Sequence, residues 1–121
     1  MTNERYAGYK KLFKEIVDYS TKKFDGMDFL FGEVLLEGLN LSNKIQRAER
    51  QNKTLRNLAA IKKEERMVLL AAYVMKLFNL ETVDMINEKF LTEKNIQIFC
   101  EDQERIYLKT LAEQPQEEKD V

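Results

Sequence analysis

The sequence predicts an all-α protein, and three observations carry that prediction. Glycine and proline number only four and one in 121 residues, and turn-rich sandwiches and barrels need more of both. Apolar residues recur at three- and four-residue steps through most of the chain, the spacing of one helix face. The run from Met67 to Met75 is apolar on nearly every side, yet it falls far short of the ~20 residues of a membrane span and so reads as a buried central helix. About five helices are expected in one domain over residues 1–112, with an acidic tail over 113–121.

In the first helix, expected from Thr2 to about Phe24, the apolar stripe is Tyr6, Tyr9, Phe13, Ile16 and Val17 with Ser20, and lysines lie between. Asp25-Gly26 ends it, because glycine tolerates positive φ. The second helix is expected from about Asp28 to Arg50 on the stripe Met27, Leu30, Phe31, Val34, Leu35, Gly38, Leu41, Ile45 and Ala48. Phe29, Leu36 and Leu39 are apolar off that stripe, which places the helix centrally or at an oligomer seam. A glycine-first hairpin at Gly32-Glu33 is the rival, but helical spacing continues for five further turns.

Gln51 to Thr54 is polar, and Thr54 is a candidate cap, so a break is expected there before Leu55, Leu58, Ala59 and Ile61. Leu41, Ile45, Ala48, Asn52, Leu55 and Ala59 step like a heptad seam in which Asn52 would fix register, unless the helix breaks there. A short helix is expected from Thr82 to Phe90. Beyond Thr92 the spacing of Ile96, Phe99, Cys100, Gln103 and Tyr107 favours a helix, while Ile96 to Cys100 and Arg105 to Lys109 also alternate as a β-hairpin would.

Composition excludes more chemistry than it suggests. Histidine is absent, which removes the usual general base, the common nucleophile pairs and the commonest zinc ligand. One cysteine, Cys100, allows no cysteine-rich metal site and no internal disulfide, and a lone thiol suits the cytoplasm. Its apolar neighbours Ile96, Ile98 and Phe99 mark it as a packed thiol. No phosphate-cradling glycine motif occurs. Carboxylate pairs such as Glu33/Glu37 and Asp84/Glu88 belong to solvated helix faces. No catalytic residue, metal ligand or cofactor is expected, and neither is a signal sequence or membrane segment.

Charge is segregated. From Lys44 to Lys63 seven basic residues, Lys44, Arg47, Arg50, Lys53, Arg56, Lys62 and Lys63, face a single acid, Glu49. From Glu64 onward thirteen acids face seven bases, while the whole chain carries a net charge of −1. The basic segment therefore meets the acidic third of its own chain or of a second subunit, an acidic protein partner, or nucleic acid. No aromatic interrupts it, which weakens the nucleic-acid case.

These patterns imply a non-enzymatic helical interaction protein, a regulator, adaptor or inhibitor that forms homo-oligomers. Its binding surface is expected on the basic segment or on the aromatic N-terminal third through Tyr6, Tyr9 and Phe29. The alternative is a helix-turn-helix DNA-binding regulator built from residues 64–78 and 82–90 with a wing at 96–109, although Asp84, Glu88 and Lys89 would bring net negative charge to the groove.

Overall fold

The computed structural model describes residues 1–51 and 58–114. Among these residues the chain forms four α-helices and no strand: α1 (Asn3–Lys23), α2 (Phe31–Arg50), α3 (Leu58–Leu77) and α4 (Glu93–Glu113). None is long and apolar enough to cross a membrane. The all-α class holds, with four helices in place of about five.

Local chemistry sets the helix ends. Thr2 accepts a hydrogen bond from the backbone N–H of Arg5 at 3.1 Å and starts α1, and Gly26, at φ +72°, turns the chain beyond its end. α2 begins at Phe31 rather than Asp28, because Phe29 stays outside the helix and its carbonyl accepts from Val83 N–H at 2.9 Å. Glu33 reaches back to accept from Leu30 N–H at 3.3 Å. α3 closes on Asn79 in the left-handed region, φ 54°, where Leu80 N–H donates to Met75 C=O at 2.9 Å. Asparagine is the side chain that best tolerates this Schellman ending after glycine.

Two expectations are corrected here. Residues 82–90 form no α-helix but two single 3₁₀ turns, Val83–Met85 and Glu88–Phe90. Asn87 divides them: its side chain accepts from Lys89 N–H at 2.9 Å and donates to Asp84 C=O at 3.0 Å, a local arrangement that competes with a continuous helix. The helix-turn-helix arrangement accordingly has no recognition helix at 82–90. The β-hairpin at 96–109 does not form either. Thr92 caps α4 by accepting from Asn95 N–H at 3.1 Å, and both Phe99 and Cys100 are fully buried. Adjacent residues cannot both point inward on an alternating strand; on a helix they can.

α2 and α3 form an antiparallel pair. Leu69 rests on Gly38, whose missing Cβ would stand 2.7 Å from the leucine Cδ2, and Glu49 near the end of α2 pairs with Lys62 near the start of α3 at 3.2 Å. Ile45 and Ala48 are buried and Leu41 packs against the core, so this part of the expected heptad seam is used inside the chain. Its continuation through Asn52 and Leu55, and the cap at Thr54, lie outside the described residues. α1 and α4 close the other side of the core around Phe13, whose ring centroid lies 4.7 Å from Phe99, 5.9 Å from Phe90 and 6.0 Å from Phe78. α4 continues as helix through Glu113, the first residue of the expected tail; residues 115–121 lie outside the described residues.

Candidate interaction surfaces

Three polar clusters join the helices, each built on a tyrosine hydroxyl and a carboxylate. Between α1 and α4, Arg5 donates twice to Glu104, at 2.9 Å each, and Tyr9 donates to the same carboxylate at 3.0 Å. Between α1 and α3, Glu64 accepts from Lys23 at 2.9 Å and from Tyr19 at 3.3 Å. Between α3 and α4, Tyr73 donates to Asp102 and accepts from Gln103 at 3.0 Å.

These clusters hold their ordinary protonation states more firmly and bring no acid or base toward neutral pH. Hydrogen bonding to Lys23 lowers the Glu64 carboxyl, and hydrogen bonding to Arg5 lowers Glu104. Burial, reinforced by the neighbouring carboxylates, raises the Tyr19 and Tyr73 hydroxyls. The arrangement suits clamps between helices and gives no reason to read proton transfer into them.

A pH dependence follows from the lowered carboxyls. Their stabilisation is fully present above the ordinary carboxyl value of 4.5 and is lost as pH falls through the lowered folded values. Thermal melts from pH 7 to pH 3 are expected to show that acid loss. Glu64→Gln is expected to reduce stability at pH 7 by about 1 kcal/mol and to flatten the acid limb. An acid limb identical to that of the unsubstituted chain would remove Glu64 from this account.

Among the described residues no group of three or more cysteine and acidic side chains gathers as a metal site would require. Cys100 is fully buried, and burial raises its thiol, the opposite of an activated nucleophile.

The predicted binding residues divide among several places. Tyr9 is committed to Glu104, and Phe29 packs against Phe24 at 6.1 Å at the edge of the core. Tyr6 is half-buried beside α4. The basic segment is shared between the end of α2 and the start of α3. Lys44, Arg47, Arg50 and Lys63 are exposed and join no ion pair among the described residues, whereas Lys62 pairs with Glu49. Lys53 and Arg56 lie outside the described residues.

Exposed apolar side chains remain on α4, at Ile106, Tyr107, Leu108 and Leu111, and on α2. Leu36 and Leu39 are each 55% exposed, and Leu35 and Leu69 are exposed beside Gly38. Gly32, Leu36, Leu39, Asn43, Gln46 and Arg50 follow one another at alternating steps of four and three, forming a line along the outer side of α2. Its first half is apolar and its second half polar and basic. The signal in the sequence was the pair Leu36 and Leu39 lying off the main stripe.

A second surface had no signal in the sequence. Ala7, Lys10, Lys11 and Lys14 share one face of α1 and border Leu91 and Ile96 across a groove of about 360 Å³. It continues past Lys10 and Ile96 into a second recess of about 410 Å³ beside Tyr6, Glu93, Lys94 and Gln97.

No protein-family model, curated protein or solved structure matches the chain.

Proposed function

We propose that this chain is a non-enzymatic helical interaction module that self-associates through the outer side of α2 and acts as a regulator, adaptor or inhibitor by covering a protein partner's surface. The observation that carries the reading is the leucine row: Leu36 and Leu39 stand 55% exposed on a helix whose opposite side is already buried against α3. Leucines in contact with water on a well-formed helix gain from being covered, at roughly 25 cal/mol per Å² of apolar surface.

A second copy of α2 crossing at Leu36 and Leu39 brings leucine against leucine. With the commonest crossing angle, near −50°, the two basic ends diverge instead of meeting. Lys44, Arg47, Arg50 and Lys63 then remain open to a carboxylate-rich partner, for which the charge would mainly speed encounter and select partners. The expected role of these residues follows from their exposure and sign.

Light scattering after size exclusion tests the self-association. The full chain at about 50 µM is expected to run at twice its 14.4 kDa, and the double variant Leu36→Glu/Leu39→Glu at a single chain mass with unchanged helical circular dichroism. A strictly monomeric full chain over the accessible concentration range would sink this part. For the partner surface, Arg47→Ala/Arg50→Ala is expected to weaken capture of the partner by the dimer; undiminished capture would remove the basic end from the interface.

A further inference from the structure

We infer that the groove between α1 and the start of α4 is a peptide-binding site. It would receive an acidic segment of a partner protein, with one bulky apolar side chain entering above Ala7, Leu91 and Ile96 and flanking carboxylates meeting Lys10, Lys11, Lys14 and Lys94. The site uses neither the leucine row of α2 nor the basic end of the α2/α3 pair. It stands apart from the reading above.

Three observations support this occupant. The first is composition: the floor is aliphatic, and Ala7 keeps it open on a helix face otherwise made of lysines. Lysine stems are themselves apolar, so they extend the walls while their ammonium groups stay at the rim in water. An apolar centre within a charged rim is the anatomy of a protein anchor site.

The second is charge. None of Lys10, Lys11, Lys14 and Lys94 joins an ion pair among the described residues, although the chain as a whole has slightly more acids than bases. Glu93 is the one acidic residue lining the groove and sits on the Lys94 side. Four cations against one anion around an apolar floor select a ligand that offers several carboxylates and an aliphatic or aromatic group together.

The third is shape. Each recess is large enough to hold a bulky side chain, at about 360 and 410 Å³, and the two run together along the junction of the helices instead of closing over a cavity. A small molecule is normally enclosed over most of its surface, whereas an anchor side chain arrives held by its own backbone and needs only a groove. Nucleic acid would satisfy the lysines but has no protruding aliphatic group for the floor, and only Tyr6 offers a stacking ring.

The test is a yeast-displayed library of random twelve-residue peptides sorted against the full chain. Enriched sequences are expected to place Leu, Met, Phe or Trp between acidic residues and to bind less tightly as salt rises. Two variants separate the components: Ala7→Phe fills the floor and leaves the lysines, and Lys10→Glu/Lys14→Glu reverses the rim and leaves the floor. Each is expected to weaken the selected peptides at least tenfold with circular dichroism unchanged, while Leu36→Glu/Leu39→Glu binds them as the unsubstituted chain does.

The proposal is overturned if the enriched peptides lack acids, if either groove variant binds them undiminished, or if sorting enriches nothing over the Ala7→Phe protein. Uptake of decanoate at Ala7 and Ile96, seen as NMR shift changes with no peptide selected, would make the groove a site for small amphiphiles and overturn it too. Loss of peptide binding in Leu36→Glu/Leu39→Glu would equally count against an independent site.

Discussion

Phe13→Ala is expected to lower the unfolding free energy by about 3–5 kcal/mol, a large share of the 5–15 kcal/mol that stabilises a typical domain. The ring is fully buried. Its neighbours are Phe99 of α4, Phe90 of the second 3₁₀ turn and Phe78 just beyond α3, at 4.7, 5.9 and 6.0 Å. Removing it opens a cavity where three parts of the chain meet α1, and those parts cannot all move inward together. Phe29→Ala is the control: Phe29 is half-buried and has one aromatic neighbour, Phe24, at 6.1 Å, so the loss should be clearly smaller. Urea unfolding followed by circular dichroism measures both. A Phe13→Ala loss below about 1.5 kcal/mol, or one no larger than that of Phe29→Ala, would mean that the aromatic cluster is not the centre of the core.

What the sequence revealed of the fold followed how local each determinant was. α1 was readable because its start, stripe and stop are all local: Thr2, the spacing through Phe13, Ile16 and Val17, and Gly26. The segment from Val83 to Phe90 misled because Val83, Ile86 and Phe90 have helical spacing while Asn87 interrupts them with hydrogen bonds of its own. α4 was ambiguous in pattern alone, and the burial of the adjacent pair Phe99 and Cys100 resolves it.

The surfaces follow the same rule. Tyr9 and Phe29 read as surplus because their partners Glu104 and Phe24 cannot be assigned before the helices are placed. Leu36 and Leu39, by contrast, have no role on the inner stripe of α2, and both are left outside. The lysine groove could not be read in advance, since it depends on Leu91 and Ile96 coming to lie beside Ala7.

Val68→Asp is expected to be as damaging as the loss of Phe13, with the opposite response to acid. Val68 is fully buried in the core, with its Cγ1 3.6 Å from where a Cβ on Gly38 would stand. Ser20 is the one buried polar residue among the described residues, so the core offers the new carboxyl no buried cation. Burial would raise its folded pKa by about three units, which at pH 7 corresponds to about 4 kcal/mol of destabilisation.

The sign differs from that of Glu64 and Glu104. Their folded values are lowered, so acid removes stability; the introduced carboxyl has a raised folded value, so its penalty is full above that value and fades as pH falls to the unfolded value near 3.9. The gap between variant and unsubstituted chain should therefore narrow between pH 7 and pH 4. It should not narrow for Val68→Asn, which has the same shape without the charge. A gap that stays constant with pH would show that the side chain at 68 reaches water. In that event α2 would be held to α3 less tightly than Gly38 and Leu69 imply, and the leucine row and basic end it carries would lose their fixed support.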